Sequence, residues 1–106
     1  MNEGNEIFKC PGMEIDPTRH EVLINGRPVD LTVKEFNLLQ FLVKNEGRVF
    51  NRDQLLKNVW GEQSEIKSRT VDVHIRRIRE KIAEMSKSLL TLRGVGYKFR
   101  INGKRK

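Results

Sequence analysis

Residues 68–82 read SRTVDVHIRRIREKI, a stretch that sets regularly spaced aliphatic side chains among five cationic ones. On a helix of about 3.6 residues per turn, the aliphatic side chains share one face, which needs a core to cover it: Val71, Ile75, Ile78, Ile82 and Met85. The opposite face collects mostly cationic side chains around one valine: Arg69, Thr70, Val73, Arg76, Arg77 and Glu80. The stretch therefore predicts a helix over about 68–84 that lies against an anionic partner. A solvated, arginine-rich surface helix is the competing interpretation, in which Asp72 and Glu80 could pair locally with Arg76, and Glu84 with Lys81.

The positive charge of the chain is concentrated towards its C-terminus. The 106 residues include 21 Lys or Arg and 14 Asp or Glu, a net charge of +7. Before Lys67 there are 8 cationic and 11 acidic residues, and from Lys67 onwards there are 13 and 3. A basic field of this kind suits nucleic acid or an anionic membrane surface.

The length of the chain predicts one domain with a single core. Cys10 is the only cysteine, so an intrachain disulfide is excluded and a reducing compartment is the default. We expect Cys10 to be a half-buried strand residue, with a redox role as the alternative. Because we see neither a signal peptide nor a run of roughly 18 apolar residues, we expect a soluble, cytoplasmic protein.

The residue types that carry catalysis are not arranged as a catalytic site. His20 and His74 lie far apart on different predicted elements, and no metal-ligand spacing or phosphate-binding glycine motif is present. We therefore expect no enzyme, no cofactor and no metal site.

The first third of the chain predicts a small antiparallel sheet. Short apolar runs between Ile7 and Leu31 are separated by turn signals, of which Asn25-Gly26 is the strongest, because both central residues of a tight hairpin must tolerate positive φ. Four strands are expected here. Residues 1–6 are assigned to a disordered or linker segment, 7–101 to the domain, and 102–106 to a basic tail.

Three helices are expected after the sheet. Thr32 and Glu35 fit a capping box, and the wide apolar pattern that follows predicts a core helix. Asn51 can cap a second helix that ends at Trp60-Gly61, and the opening stretch is the third. The second and third helices together predict a helix-turn-helix, in which the later helix enters the major groove of DNA.

After a polar loop that follows the third helix, the sequence LLTLRGVGYKFRI, residues 89–101, predicts a C-terminal hairpin. Gly94 and Gly96 suggest a flexible tip that carries Arg93, and an arginine at such a place suits a narrow, electronegative minor groove. The predicted fold class is therefore α+β: a winged helix-turn-helix with an N-terminal four-stranded antiparallel sheet, three helices and a wing over about 90–101.

Three segments resemble the effector domain of OmpR/PhoB-type two-component response regulators. They are LTVKEFNLLQFLVKNEGRVFNRDQLLKNVWG (31–61), RTVDVHIRRIREKI (69–82) and LRGVGYKF (92–99). The resemblance implies sequence-specific binding of double-stranded promoter DNA, usually by two copies arranged head to tail on direct repeats. Family members also carry a receiver domain ahead of this module, which we do not find here, so the chain is either an excised domain or stands alone.

The resemblance also implies site residues. Carried over by position, the DNA-binding set is Trp60, Arg69, Thr70, Val73, His74, Arg76, Arg77, Arg79, Thr91, Arg93 and Tyr97. We expect Arg77 and Val73 to meet base edges, because an arginine fork matches guanine and a valine methyl matches thymine. The other residues of the third helix are expected at phosphates, Arg79 from the flank of the helix. Core packing is the competing role for Trp60, His74 and Tyr97.

The loop between the second and third helices is the place where family members contact RNA polymerase. The resemblance carries this role to Gly61, Glu62, Gln63, Ser64, Glu65, Ile66 and Lys67. The alternative to DNA binding is a protein-interaction module, in which the basic face contacts an acidic partner.

Overall fold

Four short antiparallel strands open the fold. The computed structural model describes residues 6–62 and 65–101, so the linker predicted at 1–6, apart from an exposed Glu6, and the basic tail at 102–106 lie outside it. The strands pair in the order β1-β2-β3-β4: β1 Phe8–Cys10, β2 Met13–Asp16, β3 Glu21–Ile24 and β4 Arg27–Val29. Asn25 and Gly26 form the last turn with φ of 50° and 82°, as their sequence predicts. The four-stranded sheet is confirmed.

Helix α1, Val33–Lys44, crosses the core. The Thr32 hydroxyl accepts a hydrogen bond from the Glu35 N–H (3.2 Å), and the Glu35 carboxylate accepts one from the Thr32 N–H (3.0 Å). Both halves of the predicted capping box are therefore formed. The helix buries the apolar side chains Phe36, Leu38, Leu39, Leu42 and Val43.

Helices α2 and α3 form the helix-turn-helix. Asn51 caps α2, Arg52–Leu55, which continues as a π-helical turn over Leu56–Trp60. Helix α3, Arg69–Ile82, is followed by a 3₁₀ helix over Ala83–Ser88. The α-helix is thus shorter than the predicted 68–84, because Ala83 turns to φ 50° and ψ −107° and ends it. The polar loop predicted after it is the 3₁₀ helix.

The wing is a hairpin of β5, Leu89–Leu92, and β6, Gly96–Phe99. Phe50 pairs with Tyr97 across two backbone hydrogen bonds of 2.9 Å, which joins the wing to the segment before α2. The flexibility of the tip stays a prediction, and the structure gives Gly96 a packing reason that the sequence did not suggest. A Cβ there would lie 2.1 Å from the Phe50 carbonyl oxygen, so glycine permits a close backbone approach. With this hairpin the predicted α+β winged-helix class is confirmed.

One core joins the sheet, the helices and the wing. Its buried side chains come from β2 and β3, from α1 and α3, and from β6, where Phe99 is fully buried. Within the described residues, no helix is long and apolar enough to cross a membrane. Cys10 is half-buried at the end of β1, as expected for a strand residue.

Candidate nucleic-acid interface

The buried stripe of α3 determines which of its side chains face outward. Val71, Ile75, Ile78 and Ile82 are each no more than 1% exposed, so this face of the helix is fixed against the core. On the other face Arg69, Val73, Arg76 and Arg77 are exposed, and Thr70 is half-exposed. Val73 keeps 39% of its surface in water in the middle of these cations. The predicted outward face is present.

Asp72, in the first turn of α3, is held by two other elements. The Arg52 guanidinium meets both of its carboxylate oxygens, at 3.0 Å from Nε and 2.9 Å from Nη2. The Tyr97 hydroxyl donates a hydrogen bond to Oδ1 at 2.5 Å. Partial burial raises the pKa of the Asp72 carboxyl, but the hydrogen bonds from Tyr97 and Arg52 outweigh it and hold the pKa below its ordinary value. The local pairing of Asp72 with Arg76 that the helix suggested was wrong.

Arg79 is directed at the wing. Its Nε and Nη2 donate to the Leu89 carbonyl oxygen at 3.1 and 2.8 Å, and Nη2 also donates to the Thr91 hydroxyl at 2.6 Å. The guanidinium lies 6.0 Å from the centre of the Tyr97 ring. Arg79, predicted at a DNA phosphate, and Thr91, predicted as a DNA-binding residue of the wing, therefore contact each other inside the domain, and their DNA contacts stay predictions.

The C-terminal end of α3 contacts α1, and the 3₁₀ helix that follows contacts the sheet. Lys81 donates to the Glu35 carboxylate at 2.7 Å, and Glu35 is only 1% exposed. Burial raises the pKa of Glu35, but the hydrogen bonds from Lys81 and the Thr32 N–H leave the pKa lower than usual. Glu84 accepts from Arg27 at 2.9 Å, so the pairing of Glu84 with Lys81 suggested by helical spacing was also wrong.

Trp60 and His74 lie together beside the outward face of α3. Their rings meet edge to face, with centroids 5.0 Å apart, and the Lys34 ammonium lies 5.9 Å from the Trp60 ring centre. The His74 Nδ1 is 3.0 Å from the Thr70 carbonyl oxygen. Because a carbonyl only accepts, Nδ1 must carry the proton. Trp60 is half-buried, so packing occupies part of the ring and leaves part at the surface.

The wing presents its tip and buries its base. Arg93 is exposed and Val95 is 56% exposed, whereas Tyr97 is only 8% exposed. Burial, with the hydrogen bond to Asp72, raises the pKa of Tyr97 to about 12. The core role weighed for Tyr97 is confirmed. An open groove of about 330 Å³ separates the tip from the start of α2 and is lined by Arg52, Ser68, Leu92 and Val95, among others.

The loop assigned to RNA polymerase lies between α2 and α3. Its described members Gly61, Glu62, Glu65, Ile66 and Lys67 are exposed, whereas Gln63 and Ser64 lie outside the described residues. Over the part of the chain that the structure describes, no group of three His, Cys, Asp or Glu side chains could hold a metal ion.

The sequence did not predict the supporting side chains of this surface. Arg52, Lys34 and Asp72 carry no motif that distinguishes them from ordinary charged surface residues. Arg52 reaches Asp72 across 20 positions of sequence, and only the packing of α2 on α3 brings them together.

Comparison with known proteins identifies the fold and the family. Residues 26–99 match the family model described as "Transcriptional regulatory protein, C terminal". An uncharacterized transcriptional regulatory protein of Bacillus subtilis, YclJ, is 55% identical over 96 residues, covering 89% of this chain and 42% of that protein. The phosphate regulon transcriptional regulatory protein PhoB of Pseudomonas aeruginosa is 44% identical, covering 83% and 39%.

Among solved structures, the DNA-binding domain of Klebsiella pneumoniae RstA, crystallised in complex with the RstA box, superposes with a TM-score of 0.79 and 33% identity. The match covers 90% of this chain and 97% of that domain. The chain spans about two fifths of the length of the two curated relatives. It belongs to the family of C-terminal domains of transcriptional regulatory proteins, of the OmpR/PhoB type.

Proposed function

We propose that this chain binds double-stranded DNA sequence-specifically and so regulates transcription, as the effector domain of a two-component response regulator. In this proposal α3 enters the major groove and the β5–β6 wing reaches the adjacent minor groove. The observation that carries it is the outward face of α3, where Arg69, Arg76 and Arg77 surround an exposed Val73. The major groove, about 12 Å wide, admits an α-helix with such a face. The RstA domain, solved with its DNA box, supports the same use of the fold.

The side chains of α3 divide into base readers and phosphate contacts. Arg77 and Val73 are proposed to meet base edges, Arg77 through a bidentate pair with guanine and Val73 through a thymine methyl. Arg69, Thr70 and Arg76 are proposed to bind phosphates, which fixes the register without reading sequence.

His74 and Trp60 are proposed to bind phosphates from the flank. Because the His74 Nδ1–H already donates to Thr70, only Nε2 can meet a phosphate, and it can donate only when the ring is protonated. The Trp60 indole N–H, in contrast, can donate a hydrogen bond without any change of protonation. Packing of the ring edge against His74 is compatible with that contact.

The remaining roles rest on the family. Arg93 at the exposed wing tip is proposed to enter the minor groove. The loop over 61–67 is proposed to contact RNA polymerase, and two copies are proposed to bind direct repeats head to tail. A receiver domain is proposed to precede this module in the complete protein, which acts in the cytoplasm, where promoter DNA is found.

Selection of bound duplexes from a random pool tests the function directly. Enriched half-sites repeated about one helical turn apart are expected, and binding of the enriched duplex should exceed binding of a scrambled duplex by roughly 10³-fold or more. Affinity should fall with salt, at a log–log slope of about −0.9 per phosphate contact. Equal, micromolar binding of both duplexes would favour the protein-partner alternative and refute the proposal.

Arg77→Ala and Arg76→Ala form a matched pair that tests the division of roles. Loss of Arg77 should cost roughly 1 to 3 kcal/mol and relax preference at one base pair, whereas loss of Arg76 should weaken all duplexes alike and reduce the salt slope by about one. If Arg77→Ala leaves every base preference unchanged, Arg77 does not read a base.

A further inference from the structure

We propose that Tyr97 and Arg79 act in DNA binding as positioning residues, which lock the wing to α3 so that Arg93 has a fixed place relative to Arg76 and Arg77. The proposal rests on the proposed DNA-binding function. It assigns to the two residues a role inside the domain, in place of the direct contacts that the family resemblance implies.

The first tie is the Asp72 carboxylate, which joins three elements. Arg52 at the start of α2 meets both of its oxygens, and the Tyr97 hydroxyl on β6 donates to one of them. Within the described residues, no buried side-chain N or O atom lacks a hydrogen-bond partner. The junction is therefore satisfied without any ligand.

The second tie is the Arg79 guanidinium. Three N–H groups, from Nε and Nη2, serve the Leu89 carbonyl and the Thr91 hydroxyl on β5. Asp72 and Arg79 lie seven residues apart, which is about two helical turns, so both ties leave the same side of α3. One tie holds β6 and the other holds β5, so the hairpin is fixed on both of its strands.

Backbone pairing fixes the base of the wing, but one side of its tip is open. At the base, Phe50 pairs with Tyr97, and Gly96 lies against the Phe50 carbonyl. Towards the tip, the open groove of about 330 Å³ separates Leu92 and Val95 from Arg52. On that side, core packing does not hold the tip. Its direction therefore depends on the polar ties to α3.

The geometry also leaves Tyr97 poorly placed to contact DNA itself. The residue is 8% exposed, and its single hydroxyl proton is already donated to Asp72. A phosphate accepts but does not donate hydrogen bonds, so it could bind this hydroxyl only by displacing Asp72.

A double-mutant cycle on the full chain tests the positioning role. Binding of the selected duplex is measured for wild type, Tyr97→Phe, Arg93→Ala and the double variant. If the Tyr97 hydroxyl acts through the wing, Arg93→Ala should reduce the DNA affinity of wild type by about tenfold, but the affinity of the Tyr97→Phe variant by less than about threefold. Coupled residues depart from additivity by about this amount. An equal effect of Arg93→Ala in both backgrounds, or full affinity of Tyr97→Phe, overturns the proposal for Tyr97.

Arg79→Lys tests the second tie. Lysine keeps the positive charge but loses the planar fork that serves Leu89 and Thr91. A positioning role predicts the same loss of coupling to Arg93 as in Tyr97→Phe. A variant that keeps wild-type affinity and coupling would show that charge suffices, which overturns the positioning role of Arg79.

Ile15→Val is the matched control for stability. This substitution removes one buried methylene from β2, which belongs to the N-terminal sheet and not to the wing. It should lower the stability of the fold by the amount typical of such a deletion in a core. Arg93→Ala should weaken Ile15→Val by the same factor as wild type. If that pair is also non-additive, the coupling reflects stability and not wing position. If wild type shows no preference for any duplex, the proposed DNA-binding function itself is refuted, and the double-mutant cycle is not needed to decide it.

Discussion

Replacing Lys81 with methionine should destabilise the protein, because it leaves the buried Glu35 carboxylate without its cationic partner. Lys81 donates to Glu35 at 2.7 Å, and the same carboxylate oxygen accepts the Thr32 N–H at 3.0 Å. Methionine is unbranched, is only one atom shorter than lysine, and has a similar helix propensity. Lys81→Met therefore removes the cation while Glu35, 1% exposed, stays in place.

The size of the effect follows from the burial of the two partners. Breaking a fully buried ion pair costs about 3 to 5 kcal/mol, but 35% of the Lys81 side chain is exposed, so water already screens part of the interaction. We expect a loss of about 2 kcal/mol at neutral pH. Adding Glu35→Gln should recover about half of it or more, because the amide oxygen still caps the Thr32 N–H and no charge is left buried.

The deficit should shrink as the pH falls. In wild type the pKa of Glu35 is lowered, so this carboxylate contributes stability above its unfolded pKa, and that contribution is lost as the pH falls through the folded pKa. Without Lys81, burial raises the pKa of Glu35, so protonation on acidification removes the buried charge in the variant. Between pH 7.5 and pH 5 wild type keeps this contribution, because the unfolded pKa of about 4.3 and the folded pKa both lie below that range. The deficit therefore shrinks because the variant becomes less unstable as Glu35 is protonated.

Urea unfolding at pH 7.5 and pH 5 measures these differences. Trp60 is the only tryptophan, and its fluorescence reports unfolding without added labels. Lys87→Met, at an exposed lysine of the 3₁₀ helix, is the control and should change stability little. A Lys81→Met deficit that is the same at both pH values, or that Glu35→Gln fails to reduce, would refute the reasoning.

Three further predictions concern the backbone and the Tyr97 phenol. Ala83→Gly should stabilise the protein by about 1 kcal/mol in urea unfolding, because exposed Ala83 has φ 50° and the relieved strain exceeds the added chain entropy; unchanged stability would show that Ala83 is not strained. Gly96→Ala should destabilise by more than about 2 kcal/mol, since a Cβ would lie 2.1 Å from the Phe50 carbonyl, and a wild-type melting temperature would contradict that contact. The pKa of Tyr97, the only tyrosine, is raised to about 12. Its contribution to stability is therefore complete below the unfolded pKa near 10 and is lost as the pH rises towards 12. In Asp72→Asn the phenolate absorbance should titrate at lower pH, and an unchanged midpoint would exclude the hydrogen bond between Tyr97 and Asp72.

Local chemistry made most of the fold predictable. The Asn25-Gly26 turn, the Thr32 capping box and the Asn51 cap each depend on residues within four positions of one another, and all three are formed. The apolar stripe of α3 needs only the helical period, and it is buried as expected. From these pieces the order of strands, helices and hairpin could be predicted.

Partners distant in sequence could not be predicted in the same way. The rule for i, i+3 and i, i+4 ion pairs considers only one helix, so it suggested Arg76 for Asp72 and Lys81 for Glu84. Tertiary packing instead brings Arg52 to Asp72 and Glu35 to Lys81, 20 and 46 positions away. The close backbone approach at Gly96 could not be predicted for the same reason, because its neighbour Phe50 belongs to another part of the chain.

These distant partners also explain how one helix can serve both the core and a binding surface. Besides its buried stripe, α3 directs Asp72 to α2 and the wing, Arg79 to the wing, and Lys81 to α1. Each of these charged side chains has a partner inside the domain, so charge counted along the helix overstates the charge offered to a ligand. If α3 enters the major groove as proposed, substitution of these side chains should shift α3 relative to α1, α2 and the wing, and so weaken the binding of all duplexes alike. Substitution of Arg77 should instead alter which duplex is preferred, because Arg77 is exposed on the outward face.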